Sequence, residues 1–203
     1  MTRPLATDFG KEVFPRCIRS HHVQAHLFDG YWEDLGTIQA YHQASLALAS
    51  DHPPFDFNSP EGVIFTRMRF LPASRISGAT LRATLISDGC LIEDGARVER
   101  SVVGVRCHIG RNTHISDSVL IGADRYETPA EREENRRRGL PDIGVGDGSV
   151  IERAIVDKDC RIGRGVRIVN SQQVQEADGE HYVIRDGIVV IPKGAVIPPG
   201  TVI

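Results

Sequence analysis

From about Phe70 onward an aliphatic residue returns at nearly every sixth position, a period that belongs neither to a helix nor to a simple strand. Ile86, Ile92 and Val98 are six apart, Val103 follows after five, and Ile109, Ile115 and Ile121 resume at six. Val145, Ile151, Val156, Ile162 and Ile168 step by six, five, six and six, and Ile191, Ile197 and Ile203 again by six. Glycine often follows the anchor, as in Val103-Gly104, Ile109-Gly110, Ile121-Gly122, Val145-Gly146 and Ile162-Gly163. A six-residue unit supplies one short strand and one corner, and three units close a triangular coil. The anchor points into the prism, glycine or a small polar residue lets the chain turn, and successive coils stack at ~4.8 Å. Strands of a sandwich instead alternate with period two and turn every ~8–12 residues. The pattern therefore predicts a parallel β-helix with an aliphatic core, in keeping with an aromatic content of only 6%. Its open ends expose unpaired backbone, which predicts capping or coverage by a partner.

Two segments interrupt the coil. Residues 123–142 contain the charged run Pro129-Ala-Glu-Arg-Glu-Glu-Asn-Arg-Arg-Arg138. It predicts a helix, with Pro129 in its first turn and Gly139 at its stop. Residues 170–182 are polar and predict a loop between coils.

The first fifty residues differ in character. Phe9, Val13, Phe14 and Ile18 mark a helical face interrupted at Pro15, and residues 23–28 alternate like a strand. Thr37 can cap a helix whose face carries Ile38, Tyr41, Ala44 and Leu48. Prolines in Asp51-His-Pro-Pro-Phe-Asp-Phe-Asn-Ser-Pro60 mark a linker. The expected organisation is residues 1–50 as the tail of an α/β domain, 51–62 as linker and 63–203 as β-helix.

A net charge of −3 argues against a general nucleic-acid binder but not against a local cationic pocket. No apolar run approaches the ~20 residues of a membrane span. Cys17, Cys90, Cys107 and Cys160 are widely spread and form no Cys-x-x-Cys pair, which predicts free thiols and a cytoplasmic protein. Lysine occurs only at Lys11, Lys158 and Lys193, so these three stand out in an arginine-rich chain.

Five motifs in order carry a resemblance. They are Asp8-Phe-Gly-Lys-Glu-Val-Phe-Pro15, Gly30-Tyr-Trp-Glu-Asp-Leu-Gly-Thr37, Gly122-Ala-Asp-Arg-Tyr-Glu-Thr128, Ile155-Val-Asp-Lys-Asp-Cys-Arg-Ile162 and Ile184-Arg-Asp-Gly-Ile-Val-Val-Ile-Pro-Lys193. Together they resemble the glucose-1-phosphate adenylyltransferases, also called ADP-glucose pyrophosphorylases, of the cyanobacterial and plant type. The resemblance implies a left-handed β-helix behind a nucleotidyltransferase domain; most parallel crossovers are right-handed, so the resemblance alone sets the hand. It implies ATP and glucose 1-phosphate as substrates, ADP-glucose and pyrophosphate as products, and a tetramer controlled by an anionic metabolite such as 3-phosphoglycerate. The family's glycine-rich nucleotide loop does not occur here, so the chain is expected to be its C-terminal portion and inactive alone.

By the same resemblance, Asp34 matches an aspartate that helps hold the catalytic Mg2+, a hard cation suited to carboxylate oxygen. Trp32 is a candidate for the sugar-phosphate pocket. Lys158 and Lys193 match lysines that contact the effector, and Arg106 is a further candidate for that anion site. Two other functions stay open from the residues alone. One is a hexapeptide acyltransferase, with His108 or His114 as general base. The other is a β-helix that only mediates assembly.

Overall fold

The computed structural model describes residues 6–58, 60 and 62–203. The chain divides into two compact units, Met1–Trp32 and Glu33–Ile203. In the first, the Lys11 N–H donates to Asp8 Oδ1 at 2.8 Å and opens a π-helical turn, Phe9–Val13. That turn runs into a four-residue helix, α1 (Phe14–Cys17), with Pro15 in its first turn. The alternating residues 23–28 form no strand. They have no strand partner, and an isolated extended segment does not persist as sheet.

The second unit opens with α2 (Ile38–Ala47), capped as expected by Thr37, whose Oγ1 accepts the Ala40 N–H at 3.1 Å. Its strands run in chain order as β1 (Arg75–Ile76), β2 (Thr80–Ile86), β3 (Leu91–Ile92), β4 (Arg97–Val103), β5 (His108–Ile109) and β6 (His114–Ser116). After β7 (Val119–Leu120) and the helix α3 (Pro129–Arg138) come β8 (Gly144–Val145), β9 (Val150–Glu152), β10 (Ala154–Val156), β11 (Arg161–Ile162) and β12 (Arg167–Ile168). The last are β13 (Glu176–Asp178), β14 (Val183–Arg185), β15 (Ile188–Ile191) and β16 (Val196–Ile197).

β1, β3, β5, β8, β11 and β16 pair in that order as one face of a prism. β4 bends round a corner: its first half pairs in parallel with β6 and its second half with β7. β6 continues to β9 and β12, and β7 to β10 and β15, which completes the other two faces. The predicted parallel coil is therefore the observed fold, a left-handed β-helix preceded by an α/β tail.

The anchors Ile92, Val98, Val103, Ile109, Ile115, Ile151, Ile162, Ile168, Ile191 and Ile197 are all fully buried inside the prism. Ile121 is not: the register sets Leu120 between Val103 and Val156, and Ile121 points outward beside α2's contacts. The true step there is five, as it is from Val98 to Val103 and from Ile151 to Val156. Each five-residue step rounds a corner at a single left-handed residue, Arg100, Asp117 or Arg153. This corner is tighter than the others and needs one residue fewer.

The glycines after the anchors also differ from expectation. Gly104, Gly110, Gly146 and Gly163 are not in the left-handed region, so they do not turn the chain. They are small because coils meet there. A Cβ on Gly104 would lie 2.1 Å from the Ile121 carbonyl oxygen, and one on Gly163 2.5 Å from the Pro199 nitrogen.

Residues 170–182 are not merely a loop. β13 pairs antiparallel with β14, and β14 antiparallel with β15, so a hairpin extends one prism face sideways. α3 forms as its caps demand. Thr128 and Glu131 close a capping box, Pro129 opens the first turn, and Gly139 stops the helix at φ 66°. The apolar side chains of Ile38, Tyr41 and Leu46 on α2 pack over Val119, Ile155 and Ile188 on the outside of the coil. His42 is buried there and its Nε2 donates to the Asp117 carbonyl at 2.8 Å; burial holds its pKa below the usual imidazole value. The four cysteines are all free thiols, three of them buried.

Candidate functional site

One corner of the prism collects the sequence-predicted anion ligands. Successive coils place Gly89, Arg106, Asp159 and Gly194 there, all with positive φ. Backbone bonds tie the corner together: Arg106 N–H to the Asp88 carbonyl, Asp159 N–H to Gly122, and Gly194 N–H to Lys158. A side chain near this corner therefore meets its counterparts one coil away, however far apart they lie in sequence.

Between the coils of Arg106 and Lys158 the chain leaves β7 through Gly122. Its φ of 105° and the Val105 carbonyl, 2.1 Å from where a Cβ would lie, admit only glycine. Ala123 then bonds back to the Val105 carbonyl at 2.9 Å, and the Asp124 N–H donates to Asp159 Oδ1 at 2.8 Å. This aims Asp124 at both lysines. Lys158 Nζ donates to Asp124 Oδ1 at 2.7 Å and Lys193 Nζ to Oδ2 at 2.5 Å, with Asp159 Oδ2 3.7 Å behind Lys193. The hydrogen bonds from Lys158 and then Lys193 hold the Asp124 carboxyl far below the usual carboxylate range. The same contact raises the Lys193 pKa. Asp124 is thus ionised, and the two ammonium groups are gripped by an internal carboxylate that half faces solvent.

Arg106 reaches the same loop from the other side. Its Nη1 donates to the Ala123 carbonyl at 3.1 Å and its guanidinium lies 5.9 Å from the Tyr126 ring centroid. Tyr126 in turn donates to the Gly89 carbonyl at 2.9 Å. The three effector candidates therefore gather around residues 122–126. Asp124, the residue on which the lysines converge, was not singled out from sequence. Its signal lay in the Gly122-Ala-Asp-Arg-Tyr motif, where one carboxylate stands at a coil interruption.

The stretch beyond the loop is anchored by Glu127, whose side chain is 1% exposed. Its carboxylate accepts from Asn135 Nδ2 at 2.8 Å, the Ile143 N–H at 2.8 Å and Arg161 Nη2 at 2.6 Å. Burial opposes its ionisation, but these donors outweigh burial and hold the carboxyl below its ordinary value.

Asp34 and Trp32 are both exposed, and Trp32 is the last residue of the first unit. Among the described residues no group of three or more His, Cys, Asp or Glu side chains could hold a metal ion. Asp34 alone does not make a magnesium site, since a hard cation needs several oxygen ligands. His108 spends its Nε2 on Glu93 Oε1 at 2.8 Å, and Glu93 also accepts from Arg111 at 3.2 Å, so the imidazole sits in a surface ion-pair cluster. His114 lies half-buried on β6. No helix among the described residues is long and apolar enough to cross a membrane.

A hexapeptide prism with a cation cluster at one corner, following a helical tail in the sequence, places the chain among the left-handed parallel β-helix proteins. Residues 69–202 match the GLGC left-handed parallel beta-helix domain, and residues 3–51 match the Nucleotidyl transferase family. The chain belongs to the glucose-1-phosphate adenylyltransferase family. The family acts in ADP-glucose synthesis, and nucleotidyltransferase domains of this kind generally use a divalent metal.

Proposed function

We propose that this chain is the regulatory and assembly part of a cytoplasmic glucose-1-phosphate adenylyltransferase, which joins ATP and glucose 1-phosphate to give ADP-glucose and pyrophosphate for glycogen or starch synthesis. Residues 1–50 complete the nucleotidyltransferase domain, 51–62 link it, and 63–203 form the regulatory β-helix. Asp34 supplies one of several ligands to magnesium, and Trp32 lines the sugar-phosphate pocket. The chain by itself makes no ADP-glucose. Chains assemble as homotetramers; the exposed Phe65, Met68 and Phe70 beside the first coil support an oligomeric contact there.

The observation that carries this reading is the convergence of Lys158 and Lys193 on Asp124. Asp124 stands where the phosphate or carboxylate of an effector such as 3-phosphoglycerate binds, and the effector displaces it. Lysine suits this exchange because it acts as a point charge on a flexible stem. Arg106 supports the loop that carries Asp124. The test is activation of ADP-glucose synthesis by 3-phosphoglycerate in the enzyme that carries this chain. Lys193→Ala should raise the activation constant roughly tenfold or more, as expected for a lost charge-assisted hydrogen bond. Asp124→Asn should lower it by roughly two- to fivefold, because the lysines are released from their internal partner. Activation constants unchanged in both variants would remove the lysine pair from effector binding.

A further inference from the structure

The same loop also lines a small cavity of about 70 Å³, to whose wall neither lysine contributes. Helix α3 roofs it and the prism corner floors it; its lining includes Arg106, Arg125, Arg132, Cys107, Tyr126 and Glu127. That volume is several times the ~10–15 Å³ needed for one water. It is too small for a whole phosphorylated metabolite.

The charges around it do not balance. Arg125 is paired with Glu131 at 2.8 Å. Glu127 is fully engaged, with both oxygens turned to Asn135, Ile143 and Arg161. Arg106 meets only a carbonyl and the Tyr126 ring. Arg132 is the decisive residue. Among the described residues its side chain has no acceptor, and its Nε is buried without a hydrogen bond. Leaving a charged donor buried and unmet costs its full desolvation. A cavity of this size beside two guanidinium groups without carboxylate partners fits a small acceptor of opposite charge.

We propose that this cavity binds a small tetrahedral oxyanion, a phosphate or sulfate group, held by Arg132 and Arg106. Planar guanidinium forks suit such an anion. The bound group clamps α3 to the prism and steadies the loop that presents Asp124. It is separate from the lysine pair, and neither reading depends on the other.

The experiment is thermal denaturation and equilibrium titration of the full chain with inorganic phosphate, with ionic strength held constant by sodium chloride. Phosphate should bind saturably in the titration and raise the wild-type melting temperature with the logarithm of its concentration, by roughly 5–10 °C at a hundredfold excess over its dissociation constant. Arg132→Met should melt no lower than wild type in chloride alone, because it removes an unmet buried donor, and should lose the phosphate response. Arg106→Gln should weaken binding at least several-fold. The double variant Lys158→Ala, Lys193→Ala should keep the response. A parallel arm with glycerol 3-phosphate separates the sources: a cavity this small should take inorganic phosphate and reject the monoester, and saturable binding of glycerol 3-phosphate with none of inorganic phosphate would overturn the site. The proposal is overturned if phosphate neither binds saturably in the titration nor stabilises wild type, if Arg132→Met responds like wild type, or if the response disappears with the lysines instead. It is also overturned if Arg132→Met is destabilised equally with and without phosphate, which would mark a purely structural arginine.

Discussion

Glu127→Ala should destabilise the α3 segment by ~3–5 kcal/mol, the cost of removing one partner from a buried ion pair. The carboxylate is nine-tenths or more buried and ties three separate pieces of chain: Asn135 on α3, the Ile143 N–H at the return to the coil, and Arg161 on β11. Arg161 also donates to the Pro141 carbonyl at 2.7 Å, so its loss of Glu127 leaves a charge gripped on one side only. The prism does not need this hub to stack, so the first consequence is local opening of the arm. Trypsin should cut the exposed Arg136–Arg138 run at least about a hundredfold faster in the variant, because cleavage tracks the population of the open form. The same group predicts a pH dependence. Its carboxyl is held below the ordinary value, so its contribution is fully present above the ordinary glutamate pKa of ~4.3 and is lost as pH falls through the lower folded-state value. Arm opening should therefore begin in acid in wild type and be nearly flat with pH in Glu127→Ala. Equal cleavage rates in the two proteins at neutral pH would contradict the hub.

Ile151→Ala should cost ~2–5 kcal/mol of global stability, the range for removing a large aliphatic side chain from a rigid core. Ile151 is 0% exposed and stacks between Ile115 and Ile168 on adjacent coils. Parallel strands on both sides hold the backbone, so the prism cannot collapse into the void. Ile203→Ala, at the last and only partly buried anchor, should cost less than half as much. Urea denaturation of the two variants measures the difference, with an unchanged denaturant slope expected for both. Equal losses at the two positions would mean that the coils do not share one continuous core.

Much of the coil could be read from residue order, because a stacked prism repeats one local environment. The same buried position recurs in every unit, so its demand for an aliphatic side chain appears as a period. Pro129 and Gly139 were equally readable, since a helix end is set by residues within a few positions, whereas the Thr128–Glu131 capping box emerged only from the structure. Where the reading failed, a longer-range partner decided. Ile121 has the right side chain at the right spacing, yet Leu120 faces the core because Asp117 turns the tighter corner just before it. Gly104 and Gly163 looked like corner residues, but their smallness answers a neighbouring coil's backbone. Residues 176–185 lack a strand-like apolar pattern, and they pair because β15 offers an open edge.

The candidate site divides the same way. Lys158, Lys193 and Arg106 could be named from motifs, and each is a plain surface cation in isolation. Sequence alone determined most of the core column and the ends of α3, which depend on neighbours a few residues away, and it showed the rarity of those lysines. Tertiary structure alone decided that Lys158 and Lys193 share Asp124, that Glu127 meets Arg161, and that Arg132 faces a cavity without an acceptor. The physical reason is the stacking of the coil. One turn of the prism converts a long separation along the chain into the spacing of two hydrogen-bonded strands, and charge acts over that shorter distance.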